Sequence, residues 1–311
     1  MTYDLILGTA ERVFTDHCTK ALRDNAESGS KDDQHGVFPE DLWTLMQETG
    51  LHQVGGEESG TSLADAFRMI RLAGKFALPL PYPEILISNR FVMGQGLTTV
   101  AEGVIAPWAR RAERVITDDG QLVDEFDVVQ GTNVAGEPRD EIIFERSESV
   151  KLPANFRAIM AMTRVAAMSG ALEKLLELTI SYVGERKQFG RPISGFQAVQ
   201  HNVARMAGEV AASTRASDAA IEALDTDRFV VQVSAAKVRV GEAAGIVAEI
   251  AHQAHGAMGF THEHELHHYT RRLWAWRDEY GHEKEWQQLI GCRIASVGAD
   301  RAWALISDCA D

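Results

Sequence analysis

Apolar side chains recur at helical spacing over most of this chain, with one interruption near the middle where the period shortens. Leu5, Ile6, Ala10, Val13, Phe14 and Cys18 predict a helix within residues 3–27. The polar stretch Glu27–Gln34 ends it and reads as a mobile loop. A second helix is expected from Pro39, with Leu42, Leu45 and Met46 inward. A third follows Gly60-Thr-Ser-Leu, where Ser62 and Asp65 have capping-box spacing ahead of Ala66, Met69, Ile70, Ala73 and Phe76. Pro79, Pro81 and Pro83 force an extended break before another helix through Ile87 and Phe91.

Between residues 98 and 152 the runs become short: Val115-Ile116, Leu122-Val123, Phe126 to Val129, and Ile142 to Phe144. Asp119-Gly120 and Gly136-Glu-Pro-Arg139 punctuate them, and Asp-Gly between apolar runs predicts a hairpin. From 153 onward the helical period returns, over 154–185, 194–224, 229–255, 265–277 and 282 to 308. The expected plan is mainly α: an N-terminal helical domain (1–97), a truncated β middle domain (98–152) and a C-terminal four-helix bundle domain (153–311).

One junction between helices is chemically dense. Upstream, Met168, Leu172, Leu175, Leu176 and Thr179 keep helical spacing; downstream, Phe196, Val199, Val203, Met206 and Val210 do the same. The turn between them, within Glu185–His201, carries Arg186, Gln188, Phe189, Arg191 and Gln197. A plain connection would use a few small residues. Guanidinium for phosphate, a ring for stacking and amides for polar edges are what an anionic, aromatic ligand such as a nucleotide requires.

Composition narrows the setting. At 311 residues, 45% hydrophobic and 24% charged, the chain can bury a core without staples. A net charge of −14 argues against general affinity for nucleic acid or anionic membrane, though local arginines can still hold a phosphate. No apolar run approaches a membrane span and the first residues carry no export signal, so a cytoplasmic location is expected. Cys18, Cys292 and Cys309 are far apart and odd in number, which argues against a disulfide framework. Seven histidines lie between 252 and 282; His264 and His268 share a helical face, but no third ligand is readable and the expectation is no metal. Trp274, Trp276, Trp286 and Trp303 read as core or subunit interface.

The segment Glu185-Arg-Lys-Gln-Phe-Gly-Arg-Pro-Ile-Ser-Gly-Phe-Gln, with Gln253-Ala-His-Gly-Ala-Met-Gly-Phe260 further on, resembles the signature of the acyl-CoA dehydrogenase family. The resemblance implies that fold, with both segments in the C-terminal bundle facing the diphosphate and adenosine end of an FAD shared across a subunit interface. By motif position it implies cofactor contacts from Arg186, Gln188, Phe189, Gln197, Gln253, Gly256 and Ala257, the last standing where a glycine is common. The middle region is short for the family, and no counterpart of its usual Thr/Ser-bearing loop is found between Leu97 and Pro153.

Chemistry of this kind needs a carboxylate to take a proton alpha to a thioester carbonyl. The commonest family position, before a glycine beyond the Gly259-Phe260 turn, holds Tyr280. A phenol, with an ordinary pKa of about 10, is a poor base. Glu279, then Asp278, are the nearest candidates; the alternative position, in Pro153–Arg164, contains no acid. Acids pairing with Arg271, Arg272 or Arg277 are the plainer expectation for both. The resemblance therefore implies one subunit of an α2β2 assembly. Its partner would be a fuller acyl-CoA dehydrogenase-like chain, acting on a bulky, steroid-like acyl-CoA and passing electrons to an electron-transfer flavoprotein. The rivals are a homomeric dehydrogenase using Glu279 and a non-catalytic scaffold.

Overall fold

The computed structural model describes residues 3–27, 36–92 and 96–307. Residues 28–34 of the expected mobile loop, and Cys309, lie outside the described residues. The N-terminal periodicity yields two helices, α1 (Tyr3–His17) and α2 (Lys20–Ala26). The break is chemical: Thr19 adopts an extended conformation and its hydroxyl accepts from the Leu22 N–H at 3.2 Å, capping α2 afresh. Helix α3 (Glu40–Glu48) follows Pro39, and α4 (Leu63–Lys75) starts at the capping box that Ser62 and Asp65 predict, each side chain accepting the other's backbone N–H. Helix α5 (Tyr82–Ser88) stops short of Phe91.

The middle strands are β1 (Thr98–Ala101), β2 (Ile105–Pro107), β3 (Arg114–Thr117), β4 (Gln121–Val123), β5 (Asp127–Val129), β6 (Arg139–Ile143) and β7 (Glu148–Ser149). They form two small sheets, ordered β1-β3-β4-β7 and β2-β6-β5, with β1 and β3 parallel. Asp119-Gly120 makes the predicted β3–β4 hairpin, Gly120 taking φ +86°. A small core of Ala101, Ala106, Ala109, Val115 and Ile142 lies among these strands, separate from the main one.

The rest is helical. Helix α6 (Phe156–Glu185) is followed by a two-stranded ribbon, β8 (Lys187–Gln188) and β9 (Arg191–Pro192), then α7 (Gln197–Glu222), α8 (Phe229–His255), α9 (Leu266–Asp278), α10 (Glu283–Val297) and α11 (Ala299–Ser307). The single last helix that the pattern predicts splits at Gly298, which takes φ +81°. Helix α6 is central, packed on α4 as well as on α7, α8 and α9. From Ala158 to Leu172 it is buried all round, so an amphipathic stripe is weak there. A Cβ at Gly74 would sit 2.0 Å from the Ala167 carbonyl oxygen, and one at Gly170 would sit 1.9 Å from that of Arg71. Only hydrogen at these two positions lets α4 and α6 approach so closely. Trp276 and Trp286 are core, whereas Trp274 and Trp303 are exposed. Among the described residues no helix is long and apolar enough to cross a membrane.

Candidate functional site

Two places deserve comparison: an open groove beside the β8–β9 ribbon, and a closed interior beneath the turn after α9. The ribbon is a two-residue hairpin in which both central residues, Phe189 (φ +50°) and Gly190 (φ +81°), take positive φ. That pattern suits a type I′ turn, normally filled by Asn or Gly. Phenylalanine there is strained, and it stands 91% exposed at the tip. Its ring meets Phe196 edge-on at 6.0 Å, and the Arg191 guanidinium lies over Phe196 at 4.3 Å.

Arg186 caps the end of α6, its N–H bonded to the Tyr182 carbonyl, and its exposed side chain has no acid within ion-pairing distance among the described residues. Across from it, α8 ends at Gly256, whose φ of +58° turns the chain sharply. Tyr182 holds this end in place: its ring stacks on His255 at 4.3 Å and its hydroxyl donates to the His255 carbonyl at 3.2 Å. The two segments enclose a groove of about 520 Å³ lined by Arg186, Gln188, Phe189, Gln253, Gly256 and Ala257, with Phe196, Val199 and Val203 as its apolar floor. The apolar period of α7 thus has two fates: Met206 and Val210 are buried, while the residues before them floor the groove. Gln197 is exposed and does not line it. A free guanidinium, a ring held out by its backbone and two amides around an apolar floor can hold a dinucleotide's diphosphate and adenine.

The interior beneath Tyr280 is built oppositely. Glu279 is 17% exposed and accepts from Arg164 Nε at 2.5 Å and Arg139 Nε at 2.9 Å. From it a line of alternating charge crosses the protein. Arg164 also binds Glu84; Arg139 also binds Glu137 at 3.1 Å; Arg272 joins Glu137, at 3.0 Å, to Glu27; and Glu27 meets His268 at 2.7 Å. Trp276 Nε1 donates to Glu137 at 3.0 Å. These partners come from α5, α6, α9, β6, the segment just before β6 and the end of α2, so the line joins the N-terminal helices, the middle strands and the C-terminal helices. The expected partners of Glu279 were Arg271, Arg272 or Arg277. Its partners are Arg139 and Arg164 instead, while Arg277 binds Glu283. Asp278 is exposed.

The acidities follow from these contacts. Burial opposes charge on Glu279, but Arg139 and Arg164 outweigh it and hold the carboxyl at about 2. Burial likewise opposes charge on Glu27, which Arg272 and His268 bring to about 2. Glu102, whose carboxylate accepts the Tyr280 N–H at 2.8 Å, is pushed up by burial. Buried Lys237, lowered to about 8, donates to the carbonyls of Arg277 at 2.7 Å and Gly281 at 2.9 Å, clamping the turn that carries Glu279. Tyr280 takes φ +56° with its ring 5.1 Å from the Arg164 guanidinium. Behind Arg164 a cavity of about 30 Å³ remains, bordered by Ile70, Gly74, Leu80 and Trp276; that is room for about one or two waters. In front, a hollow of about 330 Å³ opens to solvent past Glu102, Glu279 and Tyr280.

Stability should register these pairs. Glu27 and Glu279 bind their protons at about 2 when folded, against the ordinary 4.5. Below 4.5 the unfolded chain therefore takes up more protons than the folded one. The stability they contribute is whole above that value and is lost as pH falls towards 2. About one unit below the ordinary value, each carboxylate should have lost about 1 kcal/mol. Urea midpoints at about pH 6 and pH 3.5 measure this, and equal midpoints would contradict the pairing.

Known proteins share this architecture. The family description "Acyl-CoA dehydrogenase, C-terminal domain" matches residues 155–277. The chain is 25% identical over 265 residues to acyl-CoA dehydrogenase IpdE2 of Mycobacterium tuberculosis, a match covering 76% of this chain and 80% of that one. One chain of the ChsE4-ChsE5 complex of Mycobacterium tuberculosis superposes with a TM-score of 0.81 at 19% identity, covering 96% of this chain and 98% of that one. A Tcur3481-Tcur3483 steroid ACAD variant gives 0.79 at 20% identity, covering 94% and 98%. At these identities the two structures establish the likeness of fold.

Proposed function

We propose that this chain belongs to the acyl-CoA dehydrogenase family, oxidoreductases acting on CH–CH groups, whose C-terminal domain description matches residues 155–277, and that it is one subunit of a heteromeric, FAD-dependent enzyme and supplies no base itself. The groove at the ribbon suits the diphosphate and adenosine half of FAD. Arg186 would meet phosphate, Phe189 would lie against adenine, and Gln188 and Gln253 would take polar edges. The sharp turn at Gly256 leaves backbone open to approach, with no atom within 4 Å of the place a side chain would occupy. When bound, FAD supplies the hydride acceptor for oxidation of a Cα–Cβ bond.

The observation that carries this reading is the double clamp on Glu279. A general base needs a free lone pair and a conjugate acid matched to its task. Glu279 has both oxygens engaged by guanidinium groups and a proton affinity depressed to about 2. Tyr280 beside it is a phenol pushed up further by burial, and the space behind Arg164 is too small for an acyl chain. The base, the flavin ring and most of the acyl pocket then belong to a partner subunit in an α2β2 assembly. The fold shared with a steroid ACAD and with the ChsE4-ChsE5 complex supports a bulky, steroid-like acyl-CoA as substrate. An electron-transfer flavoprotein would take the electrons onward.

Expression of this chain alone and together with a fuller acyl-CoA dehydrogenase-like chain tests the proposal. The expected result is colourless, inactive protein alone, and a yellow complex with dehydrogenase activity whose native mass fits two copies of each chain. Yellow, active protein from this chain alone, silenced by Glu279→Gln, would establish the homomeric reading instead.

A further inference from the structure

The histidine-rich region that the cofactor groove does not use contains a site of different chemistry. His267 and His268 are neighbours in the first turn of α9, where successive side chains ordinarily point about 100° apart. Here both rings converge, with centroids 4.0 Å apart, on Asp24 of α2. One ligand atom from each of the three residues lies within 4.8 Å of the others. His264 is not part of this group, contrary to its pairing with His268 by helical spacing; its Nδ1 accepts from the Leu266 N–H at 3.1 Å.

The Nδ1 contact of each ring fixes its tautomer. His267 Nδ1 lies 2.7 Å from the His264 carbonyl oxygen, which can only accept, so Nδ1 carries the proton. His268 Nδ1 lies 2.7 Å from the Glu27 carboxylate, an ionised acceptor, so it too carries the proton. In both neutral rings Nε2 is then a bare lone pair. Those lone pairs face Asp24 Oδ1 at 3.9 and 3.1 Å. His268 is fully buried and its Nε2 has no hydrogen-bond partner. Three acceptors therefore point at one spot with no donor among them, an arrangement that repels unless a cation sits there.

Surrounding charges leave the spot free. Lys20 takes the other oxygen of Asp24, at 2.6 Å. Arg23 is engaged by Glu265 at 2.6 Å, and Arg272 by Glu27 and Glu137. A histidine whose far N–H is held by a carboxylate or a carbonyl is the usual support for a metal-ligating imidazole, fixing its tautomer and orientation.

We infer that Asp24 Oδ1, His267 Nε2 and His268 Nε2 form a divalent transition-metal site, of the nitrogen-and-oxygen kind that suits zinc, with water completing a tetrahedron. The ion would join α2 of the N-terminal helices to the start of α9 and would serve the fold rather than the flavin. The alternative, an imidazolium at His268 bridging Glu27 and Asp24, needs no metal and is the outcome to exclude.

The test uses the full chain in whatever assembly it purifies, stripped with a chelator and titrated with zinc chloride against a chromophoric competitor, then with cobalt(II) as an absorbing substitute. Expected are one zinc per chain, visible cobalt bands of tetrahedral intensity, and a rise in the unfolding temperature with metal. Asp24→Asn and His267→Gln should each weaken binding at least tenfold while leaving the metal-free unfolding temperature close to that of the parent. Neither change touches the contact of His268 with Glu27. Absence of stoichiometric zinc in the parent would overturn the site in favour of the imidazolium bridge. Equal binding by parent and both variants would overturn it in favour of exposed histidines such as His262 and His282.

Discussion

Replacing Arg164 with methionine is expected to cost about 3–5 kcal/mol of folding stability, because removing one partner of a buried ion pair strands the others. Arg164 is 2% exposed and stands between Glu84, itself 1% exposed, and Glu279. Glu84 would lose its guanidinium inside a nearly dry interior. Glu279 would keep only Arg139 at 2.9 Å and the amide of Asn133 at 3.4 Å. At about 2–4 °C per kcal/mol for a chain of this class, the melting temperature should fall by roughly 10 °C. Adding Glu84→Gln should restore part of the loss, because it removes the stranded charge; the double-mutant cycle would give the coupling directly. A single-variant loss below about 1 kcal/mol would mean that Glu84 finds water, and the interior line would cease to explain why Glu279 is unavailable as a base. The line thus has a functional consequence: the pairs that join the three parts of the chain occupy the space where chemistry would need a free carboxylate.

How much of this was legible in the sequence follows from how far apart the cooperating residues lie. Contacts within one turn were readable: the Ser62–Asp65 box and the Asp119-Gly120 hairpin formed where their spacing placed them. The helices of the bundle followed from their apolar period. The break at Thr19 did not, because an apolar period says nothing about a hydroxyl that competes for a backbone N–H. The groove is intermediate. Its ribbon half was conspicuous for spending arginine and phenylalanine in a turn, but only family resemblance joined it to Gln253, Gly256 and Ala257. Gln197 belongs to the same motif yet faces away, since one step along a helix swings a side chain by about 100°. The ion-pair line was illegible. Glu84 and Arg164 are 80 residues apart, and Glu27 and Arg272 are 245. No periodicity pairs such residues, so the sequence leaves Glu279 a candidate base, and only the fold puts Arg139 and Arg164 around it. The convergence of His267 and His268 was hidden for a related reason: helical spacing separates neighbours, and only the seating of α9 against α2 brings both to Asp24.

In the assembled complex, Arg186→Ala is expected to weaken FAD retention by about ten- to a hundredfold. That is the equivalent of the roughly 1.5–3 kcal/mol that a hydrogen bond to a charged group contributes. The expectation rests on Arg186 being exposed at the groove without a competing acid, so its whole charge is available to a diphosphate. Arg186→Lys should recover only part of the loss, keeping the charge but not the planar fork. The effect should shrink as salt is raised, since an exposed charge is screened over a Debye length of about 8 Å at physiological ionic strength. The readouts are the flavin-to-protein ratio after desalting and the FAD dissociation constant from flavin fluorescence. Native mass is the control, because an exposed side chain with no internal partner should leave the fold and assembly intact. Turnover at saturating FAD should be near that of the parent if Arg186 touches only the diphosphate, and reduced if the flavin ring is displaced as well. Unchanged FAD retention in both variants would remove the groove from the cofactor site, whatever the partner subunit contributes.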